Sequence, residues 1–524
     1  MKKYYVFIFL YLLMSCKKEE VIAKDSHSNV VTISEEGKII PIENDFFENE
    51  TDSTIIKFYQ KNQNQTFWMD FNCRESLLYL FKNAEEEGLN PTDFEYKKLK
   101  QYEQSLQKLT NQELVTYDFL LTENLNRYIY KVAFGSLNPK ELYEDWDLKP
   151  NKVNSLQLLL NFQKKDSFDY AVYELKPKHL VYKKLKKALQ LINQYPDKTF
   201  KNIEIQDKIV LNDTNVIIPE IKNRLIYWRD LKKPDTITSI YDQTTQMAVK
   251  RFQSRHGLAP DGVIGKGTIN ALNVSKKRRK EQIIANMERW RWYPRDFEKE
   301  YLLINIPDYS LQLVRDKDTV RSHRIIVGKI KRNTPILSSK LSYVVFNPTW
   351  TLPPTILKED VIPAATKDRS YFTSKNMTIY EGSTIVNPEE WNPAKAKSYR
   401  YVQRPGAFNS LGLVKIMFPN RFSVYLHDTN SRGYFSRENR SLSSGCVRVQ
   451  DPFVLTEYLL DDPEKWTQET IKEVIDSEET VNVTFTKNIY LHLLYWTAWS
   501  EANTLQFRSD IYNLDAELYK KLRK

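Results

Sequence analysis

Val424-Tyr425-Leu426-His427-Asp428-Thr429, followed by Ser443-Ser444-Gly445-Cys446-Val447-Arg448-Val449, decides how the C-terminal half of this 524-residue chain is read. Val424 to Leu426 is a short β-rich run that delivers His427 at its end. Cys446 comes nineteen positions later, on the turn before another β-rich run. Amide chemistry at a cysteine needs a thiolate, a base to generate it, and N–H donors for the developing oxyanion. A strand-end histidine meets a cysteine on a following turn when the intervening loop folds back. Cys446 is therefore the candidate nucleophile and His427 the candidate base, although a lone cysteine and a lone histidine are more often structural. Gly445 lets the backbone come close to a reacting carbonyl. Arg448 adds positive potential that favours thiolate and suits a substrate carboxylate. Ser444 is a candidate to shape the site, and Tyr425 and Trp350 to line the cleft. Asp428 alternates to the side away from His427 in an extended segment and is not assigned.

Outward from this stretch, the period stays near 2. Tyr301 to Ile306, Leu311 to Val314, Arg324 to Val327, Leu341 to Asn347 and Leu413 to Phe418 are short β-rich runs separated by turns. They predict a β-rich sandwich or barrel-like domain over 297–515. An insertion at about 352–405, polar and aromatic with few strand signals, has the length of a lid. Tyr490 to Tyr512 reads as strands completing the sheet.

Before Pro294 the spacing is helical. Ile283, Ile284, Met287 and Trp290 predict a connecting helix within 276–296. At 215–275 a compact module places Ala248, Val249 and Phe252 on one helix face. An Asp261-Gly262 turn then leads into a second helix through Leu272. Stripes such as Leu77, Leu78, Phe81 and Ala84, or Tyr182, Leu185, Leu189 and Ile192, predict a helical scaffold over 51–210. Residues 17–50 are polar without a sustained period and read as a tether.

Lys2 and Lys3 precede an apolar run from Tyr4 to Met14, too short to span a bilayer but suited to a signal-peptide core. Leu13-Met14-Ser15-Cys16 closes it in the manner of a bacterial lipobox, which makes Cys16 the expected lipidation site and 1–16 the signal peptide. An ordinary secretory signal with an incidental cysteine is the alternative. The chain is thus expected to be exported, periplasmic and anchored to the cell envelope, at the outer membrane. Three cysteines are present. Cys73 lies in an amphipathic helical stretch, where a half-buried thiol is the ordinary expectation, and a Cys73–Cys446 disulfide would consume the proposed nucleophile. The formal net charge of +11 is spread along the chain and selects no partner among anionic polymer, membrane and nucleic acid. Hydrophobic content of 41% supplies buried cores and excludes global disorder.

His-x(18)-Cys with Ser-Ser-Gly-Cys-Val-Arg-Val resembles the motif of the L,D-transpeptidase (YkuD) family. Phe346 to Pro354, Arg404 to Gly412, Asn286 to Trp292 and Tyr495 to Tyr512 are similar to its large YcbB-type branch, and 215–275 resembles a peptidoglycan-binding domain of type 1. The resemblance covers nearly everything from residue 50 onward. It implies a multidomain α+β protein: helical scaffold, small helical peptidoglycan-binding module, and β-rich catalytic domain with a capping insertion. It also implies the reaction, with backbone N–H groups of Gly445 and Cys446 as oxyanion donors. Cys446 attacks the amide before the terminal D-Ala of a tetrapeptide stem, and the amine of a neighbouring stem resolves the acyl-enzyme into a 3→3 cross-link. No metal or organic cofactor is implied. The partners implied are peptidoglycan stems, the membrane through Cys16, and candidate penicillin-binding proteins, but not nucleic acid. Release of the acyl group by water (an L,D-carboxypeptidase) and a non-enzymatic wall-tethering lipoprotein remain alternatives.

Overall fold

The computed structural model describes residues 37–48, 50–162 and 168–524. The signal peptide, Cys16 and most of the expected tether lie outside these residues. The end of that tether is not a free linker: Ile40 and Ile42 are buried, and Pro41 bridges Gln65. Ile40 and Ile42, with Phe46 and Phe47 packed against the same core, seat this segment on the scaffold, which corrects the expectation for residues 37–48.

The scaffold surrounds the 24-residue helix Asn111–Phe134, opened by a capping box between Thr110 and Glu113. Its core joins Leu77, Phe81, Leu121, Leu125 and Val132. The stripe Tyr182, Leu185, Leu189 and Ile192, on helix Leu180–Asn193, is buried in a second core instead. That helix packs on the connecting helix Lys276–Trp292, whose last turns are buried all round. The small module contains three helices, Ile218–Tyr227, Gln243–Arg255 and Lys266–Asn273. Gly262 turns between the last two at φ +75°, a conformation that glycine adopts without strain.

Among the described residues, the C-terminal half is built on one mixed 12-stranded sheet. From one edge the order is Trp146–Asp147, Ile336–Lys340, Tyr490–Leu494, Glu300–Asn305, Ser310–Arg315 and Asp318–Gly328. It continues through Val447–Val449, Leu426–His427, Val414–Met417, Tyr343–Phe346 and Val481–Thr484, with Ser441–Ser443 paired to the end of Asp318–Gly328. Helices Pro452–Leu460 and Gln468–Asp476 contribute Leu455, Leu459 and Ile471 to its core.

Two expectations need correction. Only Tyr490–Leu494 completes the sheet; Ala498–Glu501 and Thr504–Phe507 form a separate hairpin packed on helix Leu180–Asn193. A period-2 run fixes strand type but not the sheet that receives it. The insertion is also more ordered than its sequence suggests. Met377–Glu381, Thr384–Val386 and Arg400–Gln403 join Trp350–Thr351 in a four-stranded sheet. Phe372, Ile379, Trp391 and Tyr401 fill a core of its own.

Candidate active site

Backbone pairing brings the predicted residues together. Leu426–His427 runs parallel to Val447–Val449, with Leu426 opposite Val447 and His427 opposite Arg448. Paired residues share a face and neighbours alternate. Leu426 and Val447 are fully buried in the core. Tyr425, His427, Cys446 and Arg448 therefore occupy the other face of two adjacent strands. The Val447 N–H donates to the Tyr425 carbonyl at 3.1 Å, which locks the register next to Cys446. On the other flank, Lys415 stands opposite His427 in antiparallel register. Sequence reading missed Lys415; its alternation with buried Val414 and Ile416 is visible, but which strand lies beside it is not.

The cysteine turn is held from several sides. Gly445 has φ +114°, in the region where side chains are strained. Its carbonyl accepts from Thr334 Oγ1 at 2.8 Å, and Ser443 Oγ donates to the Cys446 carbonyl at 2.6 Å. The Gly445 N–H donates to Ser443 Oγ at 3.2 Å. That bond occupies the donor, which corrects the expectation that Gly445 N–H serves the oxyanion. The Cys446 N–H is not engaged by these contacts. Ser444 is exposed, and its Oγ accepts from Arg332 at 2.7 Å. Arg332 also pairs with Asp360 at 2.6 Å and Glu359 at 2.5 Å, both in the π-helical turn Leu357–Val361 of the insertion. Ser444 thus joins the cysteine turn to the cap.

Tyr425 is the centre of the cluster. Its ring lies 5.6 Å from the His427 ring, and Lys415 Nζ sits 4.1 Å above its centroid. Its hydroxyl lies beside Cys446 and Trp350, and burial first, then the neighbouring cysteine, pushes the phenol far above its ordinary value. Trp350 begins the cap's sheet and packs against the cap's core. Asp428 does not serve the histidine: Oδ2 accepts from the Leu413 N–H at 3.0 Å and Arg432 at 3.1 Å.

Burial holds both reacting groups in their neutral forms. His427 is only 5% exposed, and its Nδ1 is buried without a hydrogen-bond partner. Desolvation first, then the charge of Arg448, brings the imidazole down to about 3; Lys415 adds to this, and the backbone at Asp428 and Leu411 opposes it. Burial pushes the Cys446 thiol up, against the pull of the Tyr425 N–H and hydroxyl, Lys415 and Arg448. The resting pair is thiol and neutral imidazole, beside the N–H donor and the two cations that a thiolate needs. Cys446 carries a free thiol, so no disulfide to Cys73 is formed. No cluster of metal-ligating side chains occurs among the described residues.

Residues 299–470 match the family model of the L,D-transpeptidase catalytic domain (YkuD). This chain carries an L,D-transpeptidase catalytic domain. Residues 216–272 match a family described as "Putative peptidoglycan binding domain", and residues 53–189 match a scaffold domain. A Haemophilus influenzae protein named "Putative L,D-transpeptidase" is 35% identical over 269 residues, 50% of this chain and 54% of the relative. The chain spans about half the length of that curated relative. Among solved structures, the L,D-transpeptidase of Xylanimonas cellulosilytica is matched over 56% of this chain and all of its own, at 14% identity and a TM-score of 0.19. That of Stackebrandtia nassauensis is matched over 57% of this chain and 97% of its own, at 12% identity and a TM-score of 0.20. The L,D-transpeptidase domain begins at the first long strand after the connecting helix and encloses Cys446, His427 and the cap.

Proposed function

We propose that the protein is a peptidoglycan L,D-transpeptidase that forms 3→3 cross-links through a Cys446 acyl-enzyme. The observation that carries this reading is the placement of Cys446 and His427 on one face of adjacent parallel strands, in register with Lys415 and Arg448. His427 accepts the thiol proton as the sulfur attacks the amide before the terminal D-Ala. The Tyr425 N–H and hydroxyl, with the two cations, stabilise the charge that appears on sulfur. The imidazolium then protonates the leaving amine and D-Ala departs. The neutral imidazole next takes a proton from the side-chain amine of an acceptor stem as that amine attacks the thioester. The Cys446 N–H is the backbone donor left for the oxyanion. The Arg332 links from cap to cysteine turn support exclusion of water between the two steps.

The chain is further proposed to be a periplasmic lipoprotein, held at the outer membrane through Cys16, with the small module engaging the wall and penicillin-binding proteins as partners. Incubation of the full chain with disaccharide-tetrapeptide, read by mass spectrometry, tests the reaction. Cross-linked dimers with loss of one D-Ala are expected. Tripeptide monomers alone would assign hydrolysis instead, and turnover that survives Cys446→Ala would remove the cysteine mechanism. Labelling of cells with a palmitate analogue tests the anchor; no label on wild type, or equal label on Cys16→Ala, refutes it.

A further inference from the structure

Two cations on the site face have no anion. Lys415 and Arg448 are the cross-strand neighbours of His427 on its two sides. Among the described residues neither forms an ion pair with a carboxylate, although both are half-buried, and Arg448 Nε is buried with no hydrogen-bond partner. A half-buried cation without a counter-ion is costly, and the cost is relieved when a ligand supplies the anion. The other charged or titratable groups around His427 do not supply it. Asp428 is turned to Leu413 and Arg432, Tyr425 is a phenol, Tyr434 lies near Arg448, and Cys446 is charged only as thiolate.

We infer that Lys415 and Arg448 form a carboxylate cradle across His427 that grips the free carboxylate of the departing D-amino acid. This rests on the transpeptidase reading above and adds a binding subsite to it. The geometry gives the reason. In the terminal residue the carboxylate is two bonds from the amide nitrogen. A carboxylate held between the two cations that flank His427 therefore sets that nitrogen against the imidazole that must protonate it. The same contact neutralises the two charges that disfavour imidazolium, so binding of the correct stem strengthens the base at the moment it is needed. Lys415 is then a substrate-binding residue as well as a support for the thiolate.

Two measurements on the full chain separate this inference from the reaction itself. The first needs no turnover: alkylation rates of Cys446 by iodoacetate and by neutral iodoacetamide are compared by peptide mass spectrometry, with Cys73 as internal reference. The cradle predicts an iodoacetate-to-iodoacetamide ratio at Cys446 at least about tenfold higher in wild type than in Lys415→Met, with Lys415→Arg restoring most of it. Equal ratios in wild type and Lys415→Met, with an unchanged Cys73 reference, overturn the cradle whatever the enzyme does. The second compares tetrapeptides ending in D-alanine and in D-alaninamide. Wild type is expected to favour the carboxylate by about tenfold or more in kcat/KM, and Lys415→Met to lose that preference. An equal loss on both substrates overturns the inference in favour of a purely thiolate-supporting lysine. A preference that instead follows amidation of the diamino acid assigns the cradle to the wrong carboxylate.

Discussion

The last turns of the connecting helix and the catalytic face both bury positive charge, and they treat it in opposite ways. On the helix, Arg289 and Arg291 are almost wholly inaccessible, yet each has its carboxylate: Asp515 at 3.0 Å and Glu288 at 2.8 Å. Arg289 also donates to Asn286 Oδ1 at 2.9 Å, and Glu288 accepts from the Ser136 and Leu137 N–H groups at the end of the long scaffold helix. These groups weld scaffold, connecting helix and C-terminal segment together. On the catalytic face, Lys415 and Arg448 have no such match. Matched charge in the frame fixes three units relative to one another; unmatched charge in the site leaves room for a ligand.

The sharpest break between the regions is expected from activity. Cys446→Ala should lower turnover by about 10⁴ or more while leaving the melting temperature within a degree or two, since a small side chain is exchanged outside the frame. A large fall in melting temperature would make Cys446 part of the frame instead. Next comes Glu288→Ala, which strands Arg291 and two backbone donors at once. It should cost about 3–5 kcal/mol in chemical denaturation, with the unfolding of the scaffold separating from that of the sheet. A loss below about 1 kcal/mol would show that the buried pair does not hold the units together.

The pH dependence of stability probes the site from the other direction. His427 titrates near 3 in the folded chain and near 6.5 in an unfolded one, so the unfolded state takes up the proton first as pH falls. Stability contributed by the neutral imidazole is complete above about pH 6.5 and is lost progressively towards pH 3, by about 2 kcal/mol between pH 7 and pH 5. His427→Gln should abolish that part of the slope in parallel denaturation curves; identical slopes would mean that the ring is not buried neutral in solution. The smallest effect belongs to Lys415→Met, which should change folding stability by no more than about 0.5 kcal/mol because it removes a half-buried cation that has no carboxylate partner. A loss of several kcal/mol would place Lys415 with Arg289 and Arg291.

The sequence alone carried what depends on local pattern. The change of period at Pro294 separates helix from strand. The glycine before Cys446 marks a turn that only glycine adopts without strain. His427 and Cys446 were legible because their chemistry is sparse and their motif is contiguous with the strands that carry them. Register and long-range pairing were decided by tertiary structure, because a β pattern specifies which residues share a face but not which strand arrives beside it. That is why Lys415 entered the site only through its place opposite His427, and why Ala498–Glu501 left the sheet for a hairpin on a helix. The Gly445 N–H was likewise claimed by a neighbouring hydroxyl that no spacing rule foresees, and the cap's polar surface concealed a core of aromatics gathered from residues far apart in the chain.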